Sequence, residues 1–176
     1  DVNLNPLLFG LPVTDHVRPR LVRLSMYDRT NSTYEQDGKI YTLKALSAGK
    51  YVTSPETIVS ASPLISFAFT GYDSHNGSPN MNGVFRAVLK MNGKPVTEFL
   101  MDNISYNDTR YLNAHIDYKY KEKGNPYLQH LSELPGFRNS IYTHHAGNGV
   151  VDISDGKTHA MEVMVYDVHN NLSVIN

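Results

Sequence analysis

Apolar and polar residues alternate with a period of two along much of this chain, the pattern of strands that bury one face. The clearest example lies around Asn92-Gly93, a pair that tolerates the positive φ angles of a type I′ hairpin turn. Folding Gly83–Asp102 about that turn sets Leu89 against Val96, Lys90 against Pro95 and Phe85 against Leu100. Leu89, Val96, Phe85, Leu100 and Ala87 then share one face, and Val84, Val88, Phe99 and Met101 the other. Leu64–Tyr72 reads as a central strand, with Ile65, Phe67 and Phe69 on one side and Ser66, Ala68 and Thr70 on the other.

The same pattern predicts strands beginning at Val22, at Lys39–Leu46, at Thr57–Ser60, at Phe137–Thr143, at Val150–Ile153, over Thr158–Asp167 and over Leu172–Ile175. Gly49–Pro55 reads as a turn, and Asp155-Gly156 as another. Leu112, Ala114, Ile116, Tyr118 and Tyr120 alternate with polar residues, so Ile104–Lys123 reads as extended chain or an ordered loop. Pro126 with Leu128, Leu131 and Leu134 predicts a single short helix ending at Pro135-Gly136. The fold expected is all-β: an antiparallel β-sandwich of immunoglobulin-like or related topology, carrying one short helix, with a closed barrel as the alternative. Residues 1–19, broken by Pro6, Gly10, Pro12 and Pro19, form a linker or a docked N-terminal arm, with Leu7, Leu8 and Phe9 packed on the domain at 20–176.

Length changes this picture little: 176 residues suit one domain with a substantial core. Lys+Arg 16 against Asp+Glu 17 gives a net charge of −1, with no basic block to attract nucleic acid. No apolar run is long enough to span a bilayer. Zero cysteines exclude a disulfide scaffold and a thiolate zinc site. Twelve Tyr with no Trp, set among many Asn, fit a β protein with polar loops.

Candidate chemistry is sparse, and no cofactor is expected. His115 and Asp117 share a side of an extended segment and, joined by His144 or His145, would make a metal site or a small metal-dependent hydrolase. His144 and His145 are adjacent, so in a strand they point opposite ways. Asp73 and Asn80, with Asn76 and Asn82, form an oxygen-rich loop that suits Ca²⁺, with Asx turns the better reading. His159 shares the parity of Met161 and reads as a satisfied, partly buried histidine. Arg110 is placed to pair with a carboxylate and pin the loop around it. Tyr111, Tyr118, Tyr120 and Tyr127 either line a sugar-binding face or pack the loop, with packing the better reading. A face of coplanar tyrosines would make the chain a stand-alone carbohydrate-binding module.

Several stretches, in order, carry a resemblance: NPLLFG at 5–10, RPRLVRLSMY at 18–27, GYDSHNGSPNMNGVF at 71–85, TRYLNAHIDYKY at 109–120, LPGF at 134–137 and DGKTHAMEVMVYDVHNNLS at 155–173. Together they resemble the β-sandwich region that follows the catalytic domain in lysostaphin-type zinc metallopeptidases of Bacteroides-like bacteria. TRYLNAHIDYK is the most specific piece. The closing Asp167, Asn171 and Ser173 are generic to bacterial sandwiches, with Asn170 where a Gly is usual. The resemblance implies an exported, periplasmic or envelope-associated accessory domain, partnered by a parent catalytic domain and by peptidoglycan or another glycan. It carries over no catalytic residue. The family's zinc motifs, H-x-x-x-D and H-x-H, have no counterpart among the eight histidines here.

Overall fold

The computed structural model describes residues 2–10 and 13–176. Its strands are β1 (Val2–Leu4), β2 (Arg20–Asp28), β3 (Lys39–Ser47), β4 (Lys50–Ser54), β5 (Leu64–Tyr72), β6 (Arg86–Met91) and β7 (Lys94–Leu100). They continue with β8 (Asn103–Ser105), β9 (Gln129–His130), β10 (Tyr142–His144), β11 (Val151–Asp152), β12 (Met161–Tyr166) and β13 (Leu172–Ile175). One α-helix, α1 (Tyr118–Glu122), and three 3₁₀ turns complete the order. The fold is all-β and sandwich-like. A single large sheet runs β10-β7-β6-β12-β13-β4-β3-β2-β5-β11, with β9 also on β5, while β1 and β8 form a separate pair. The halves of the large sheet meet at a short parallel join, Val174 beside Lys50 and Ile175 beside Tyr51.

Curling brings the apolar faces of the halves together. Phe69 of β5 stacks on Phe99 of β7, ring centroids 6.3 Å apart and planes 9° from parallel. Leu24, Phe67, Leu89, Val163 and Ile175 surround them in the same core. The second face of β5 is covered too, by a smaller cluster of Tyr27, Ala68 and Leu128 with Tyr120 against it. That double cover explains why both faces of this strand are buried.

The hairpin keeps its turn, with Asn92 at φ 52° and Gly93 at φ 76°, but not its expected register. Lys90 opposes Pro95 as predicted. Leu89 then opposes Thr97, and Ala87 opposes Phe99, because a bulge at Val96 inserts one residue. Pro95 supplies no N–H, so the ladder is weakest where the bulge forms. The slip reverses the parity of β7 and turns Phe99, placed on the other face by simple alternation, into the core. Val96 and Thr97 are both buried.

Four other expectations are corrected. Residues 50–54 are a strand, not a turn: β4 pairs with β3 and supplies the join to β13. Residues 57–60 are not a strand, and cross the mouth of the core instead. Residues 109–115 and 118–122 are 3₁₀ and α-helical rather than extended; Asp117 caps α1 by accepting from the Tyr120 N–H at 2.8 Å. The helix expected over 126–134 is absent. Leu128–Ser132 is buried chain containing β9, because β5 offers an unpaired ladder to it and Leu128 and Leu131 fill two different clusters.

The N-terminal arm is docked. β1 pairs with β8, the Arg18 guanidinium donates to the Leu172 carbonyl at 3.0 Å, and the Ser173 hydroxyl donates to the Pro19 carbonyl at 2.6 Å. Leu8 and Phe9, expected to pack, are exposed at 48% and 66%. Asn5 accepts from the Leu7 N–H and Pro6 opens a 3₁₀ turn, and only Leu7 is turned inward. Among the described residues no helix is long and apolar enough to cross a membrane.

Candidate metal centre

Three aspartates from distant parts of the chain meet at one end of the sandwich. β5 and β12 end at Tyr72 and Tyr166, and each is followed at once by a carboxylate, Asp73 and Asp167. Asp15 arrives from the arm just before β2, whose first residue Arg20 pairs with Tyr72. One carboxylate oxygen from each lies within 4.8 Å of the others. Asp15, Asp73 and Asp167 are 4%, 5% and 1% exposed. Asp15 also groups with His75 and His169, again within 4.8 Å.

Local turn chemistry holds each carboxylate in place. Asp15 Oδ1 accepts from the Val17 and Asn76 N–H groups, and Oδ2 lies 3.1 Å from His75 Nδ1. Asp167 Oδ1 accepts from the N–H groups of His169 and Asn171, and Oδ2 from the Asn171 side chain at 2.6 Å. Asn170 takes φ 65° to close that turn, the left-handed position expected of it. Asp73 and Asn82 exchange both backbone hydrogen bonds, which closes the 73–82 loop. Asp73 Oδ1 alone is buried with no hydrogen-bond partner.

The electrostatics follow from this crowding. Burial, then the neighbouring Asp167, push the Asp73 carboxyl up to about 6, with Asp15 adding to the rise. Burial also acts to raise Asp15, but donation from the Val17 amide, from His75 and from the Asn76 amide outweighs it and holds that carboxyl below its ordinary value. A cavity of about 280 Å³ reaches Asp73 and His75 from beneath the arm, where Asn5 and Leu7 line it with Met101 and Gln129. The cavity thus borders one side of the aspartate cluster.

Sequence reasoning found Asp73 but gave it the wrong companions. Asn80 is exposed, and its N–H is held by the Ser78 hydroxyl; Asn76 Oδ1 accepts from the His16 N–H. Those are turn contacts within and beside the loop. Asp15 and Asp167 were missed as partners, because no motif links positions 15, 73 and 167; only the junction of arm, loop and final turn does.

His115, Asp117 and His144 are not brought together as a metal site. The Tyr142 hydroxyl gives its one proton to the His130 carbonyl at 2.9 Å, so His115 Nδ1–H donates to Tyr142 Oη at 2.7 Å. The His115 ring packs edge-on against Phe99 at 4.5 Å. Asp117 instead accepts from the Tyr27 hydroxyl at 2.7 Å and caps α1. His144 Nδ1 lies 2.9 Å from Thr97 Oγ1, and Nε2 lies 3.3 Å from Glu133. Ile116 and Asp117 are extended, but His115 ends a 3₁₀ helix and packs on Phe99 of the main core, while Asp117 reaches Tyr27 of the smaller cluster.

Burial lowers the imidazole of His115 to about 3, with His130 adding to the effect, and that of His130 to about 4. His159 is the satisfied histidine expected, held between Asn92 at 3.0 Å and Asp155 at 2.9 Å. Arg110 is exposed and, among the described residues, makes no ion pair. Arg29, of which nothing was expected, links β5 to the 132–133 segment by donating to Ser66, Ser132 and the Glu133 carbonyl.

The four tyrosines divide. Tyr120 packs on the smaller cluster and accepts from Arg23 at 2.6 Å. Tyr111 is paired with Phe137, centroids 6.5 Å apart, and Tyr127 lies under Lys121 at 4.4 Å. Tyr118 is 56% exposed. A larger apolar cavity of about 380 Å³ lies between the sheet halves under residues 56–60, lined by Met26, Ile58, Phe67, Leu89 and Met161.

Compared with known proteins, the chain matches no family model, no curated protein and no solved structure.

Proposed function

We propose that this chain is a non-catalytic accessory β-sandwich of an exported cell-envelope protein, one that positions a neighbouring peptidase-like domain on peptidoglycan or another envelope glycan. The observation that carries the reading is the N-terminal arm. It is stitched to the sandwich by β1, by Asp15 and by the Arg18 and Ser173 hydrogen bonds, yet it presents Val2, Leu4, Leu8 and Phe9 outward at 48–66% exposure. An apolar row on a firmly anchored segment suits contact with another protein surface. The residues of the hydrolase alternative fit the same reading: His115, Asp117 and His144 each hold an internal contact. The resemblance to the region after the catalytic domain of lysostaphin-type peptidases supplies the partner and the compartment.

The test uses the full-length protein and its variant carrying Leu8→Ser and Phe9→Ser. The variant is expected to keep its fold, to become more open in small-angle scattering, and to lose activity on intact cell walls while keeping it on a short soluble peptide. A full-length protein with no peptidase-like domain, or cell-wall cleavage by the isolated chain, overturns the reading.

A further inference from the structure

We propose that Asp15, Asp73 and Asp167 form a binding site for one divalent cation. The site goes beyond the accessory-domain reading and stands or falls independently of it. Three carboxylates sharing 4.8 Å repel one another in a low-dielectric setting. Among the described residues no Lys or Arg pairs with any of them; the only ion-pair partner is His75 on Asp15. Structural turns account for the oxygens of Asp15 and Asp167, since backbone and Asn171 donors reach them. They do not account for Asp73 Oδ1. Asp73 belongs to the cluster and is 5% exposed, and its Oδ1 is buried with no hydrogen-bond partner. Native proteins rarely leave such an atom unpaired, and an ion at the centre of the cluster would satisfy it.

The donor set narrows the ion. Three carboxylate oxygens suit the hard cations Ca²⁺, Mg²⁺ and Mn²⁺, while the His75 imidazole, 3.1 Å from Asp15 Oδ2, orients that carboxylate. The two groupings share Asp15, so one carboxylate faces both the oxygen side and the histidine side. The consequence is mechanical. A bound ion would tie the arm at Asp15 to the 73–82 loop, which three hydrogen bonds already join to it, and to the turn after β12, which one from Asn171 to the Asp15 carbonyl reaches.

The experiment treats the whole chain with EDTA and adds Mn²⁺, Zn²⁺ or Ca²⁺ separately. Calorimetry should give one ion per chain, and at a hundredfold excess over Kd the midpoint of thermal unfolding should rise by roughly 5–10 °C. Asp73→Asn should abolish that rise while leaving the EDTA-treated protein as stable as before or more so, because it removes a repelling charge without changing shape. Mn²⁺ should broaden the NMR signals of His75 and His169 and spare His159, a readout that does not depend on stability. No response to any of the three ions at millimolar concentration overturns the proposal. So does a thermal shift that persists undiminished in Asp73→Asn.

Discussion

Acidification should unfold this protein through two buried histidines, His115 and His130. Both are held neutral, with imidazoles lowered to about 3 and about 4 by burial. An unfolded histidine has a pKa near 6.5. Between those values the unfolded chain binds more protons than the folded one, so stability rises with pH across the window and falls as the solution is acidified. The contribution of each group is complete above about pH 6.5 and is lost progressively toward its folded value. At about pH 4.5 each costs roughly 2–3 kcal/mol relative to neutral pH, from 1.36 kcal/mol per pKa unit over about two units. Together they approach the whole stability of a typical domain, about 5–15 kcal/mol. Asp73 acts with the opposite sign: its raised carboxyl stabilises the fold at low pH and loses that contribution as pH rises through about 6. The assay is urea unfolding in EDTA, from about pH 7 to about pH 4.5, on the wild type and on His115→Gln. The difference between the two removes Asp73 and every other shared group. The pH-dependent loss should shrink by roughly 2–3 kcal/mol in the variant, whatever its absolute stability. Equal losses in both proteins, or an NMR titration of His115 near pH 6.5, would refute the argument.

Gly149→Ala should destabilise by more than about 2 kcal/mol in the same unfolding assay, because a Cβ at φ +81° would collide with the Leu131 carbonyl and the Ser132 backbone. Asp117→Ala removes both the cap of α1 and the acceptor of the buried Tyr27 hydroxyl, and a loss of about 2–4 kcal/mol is expected from urea midpoints. Phe99→Ala empties the contact between the sheet halves and should cost about 3–5 kcal/mol. Tyr118→Ala should leave stability within about 0.5 kcal/mol; pull-down on insoluble cell wall then reports whether this exposed ring contacts glycan.

Elements whose evidence is local were legible in the chain. The Asn92-Gly93 turn, the Leu64–Tyr72 strand, the final β12–β13 hairpin with Asn170 in its left-handed position, and the all-β class all follow from short-range periodicity and turn chemistry. Residues 109–134 were misread in both directions. Their alternation of apolar and polar residues is genuine, but neighbouring contacts decide their form: Asp117 caps a helix because Tyr27 holds its other oxygen, and Leu128–Ser132 stays extended because β5 has a free edge there. The candidate site divides in the same way. Asp73 stood out from its polar loop, whereas Asp15 sat in a stretch that reads as a linker.

By itself, the sequence determined where the chain turns, which segments alternate and that the product is a sheet protein, since those properties depend on residues a few positions apart. Tertiary structure alone decided the register of β7, through one bulge that moved Phe99 into the core. It also decided the meeting of Asp15, Asp73 and Asp167, more than fifty residues apart in each case, because strand pairing and sheet curling set which loop ends share a space.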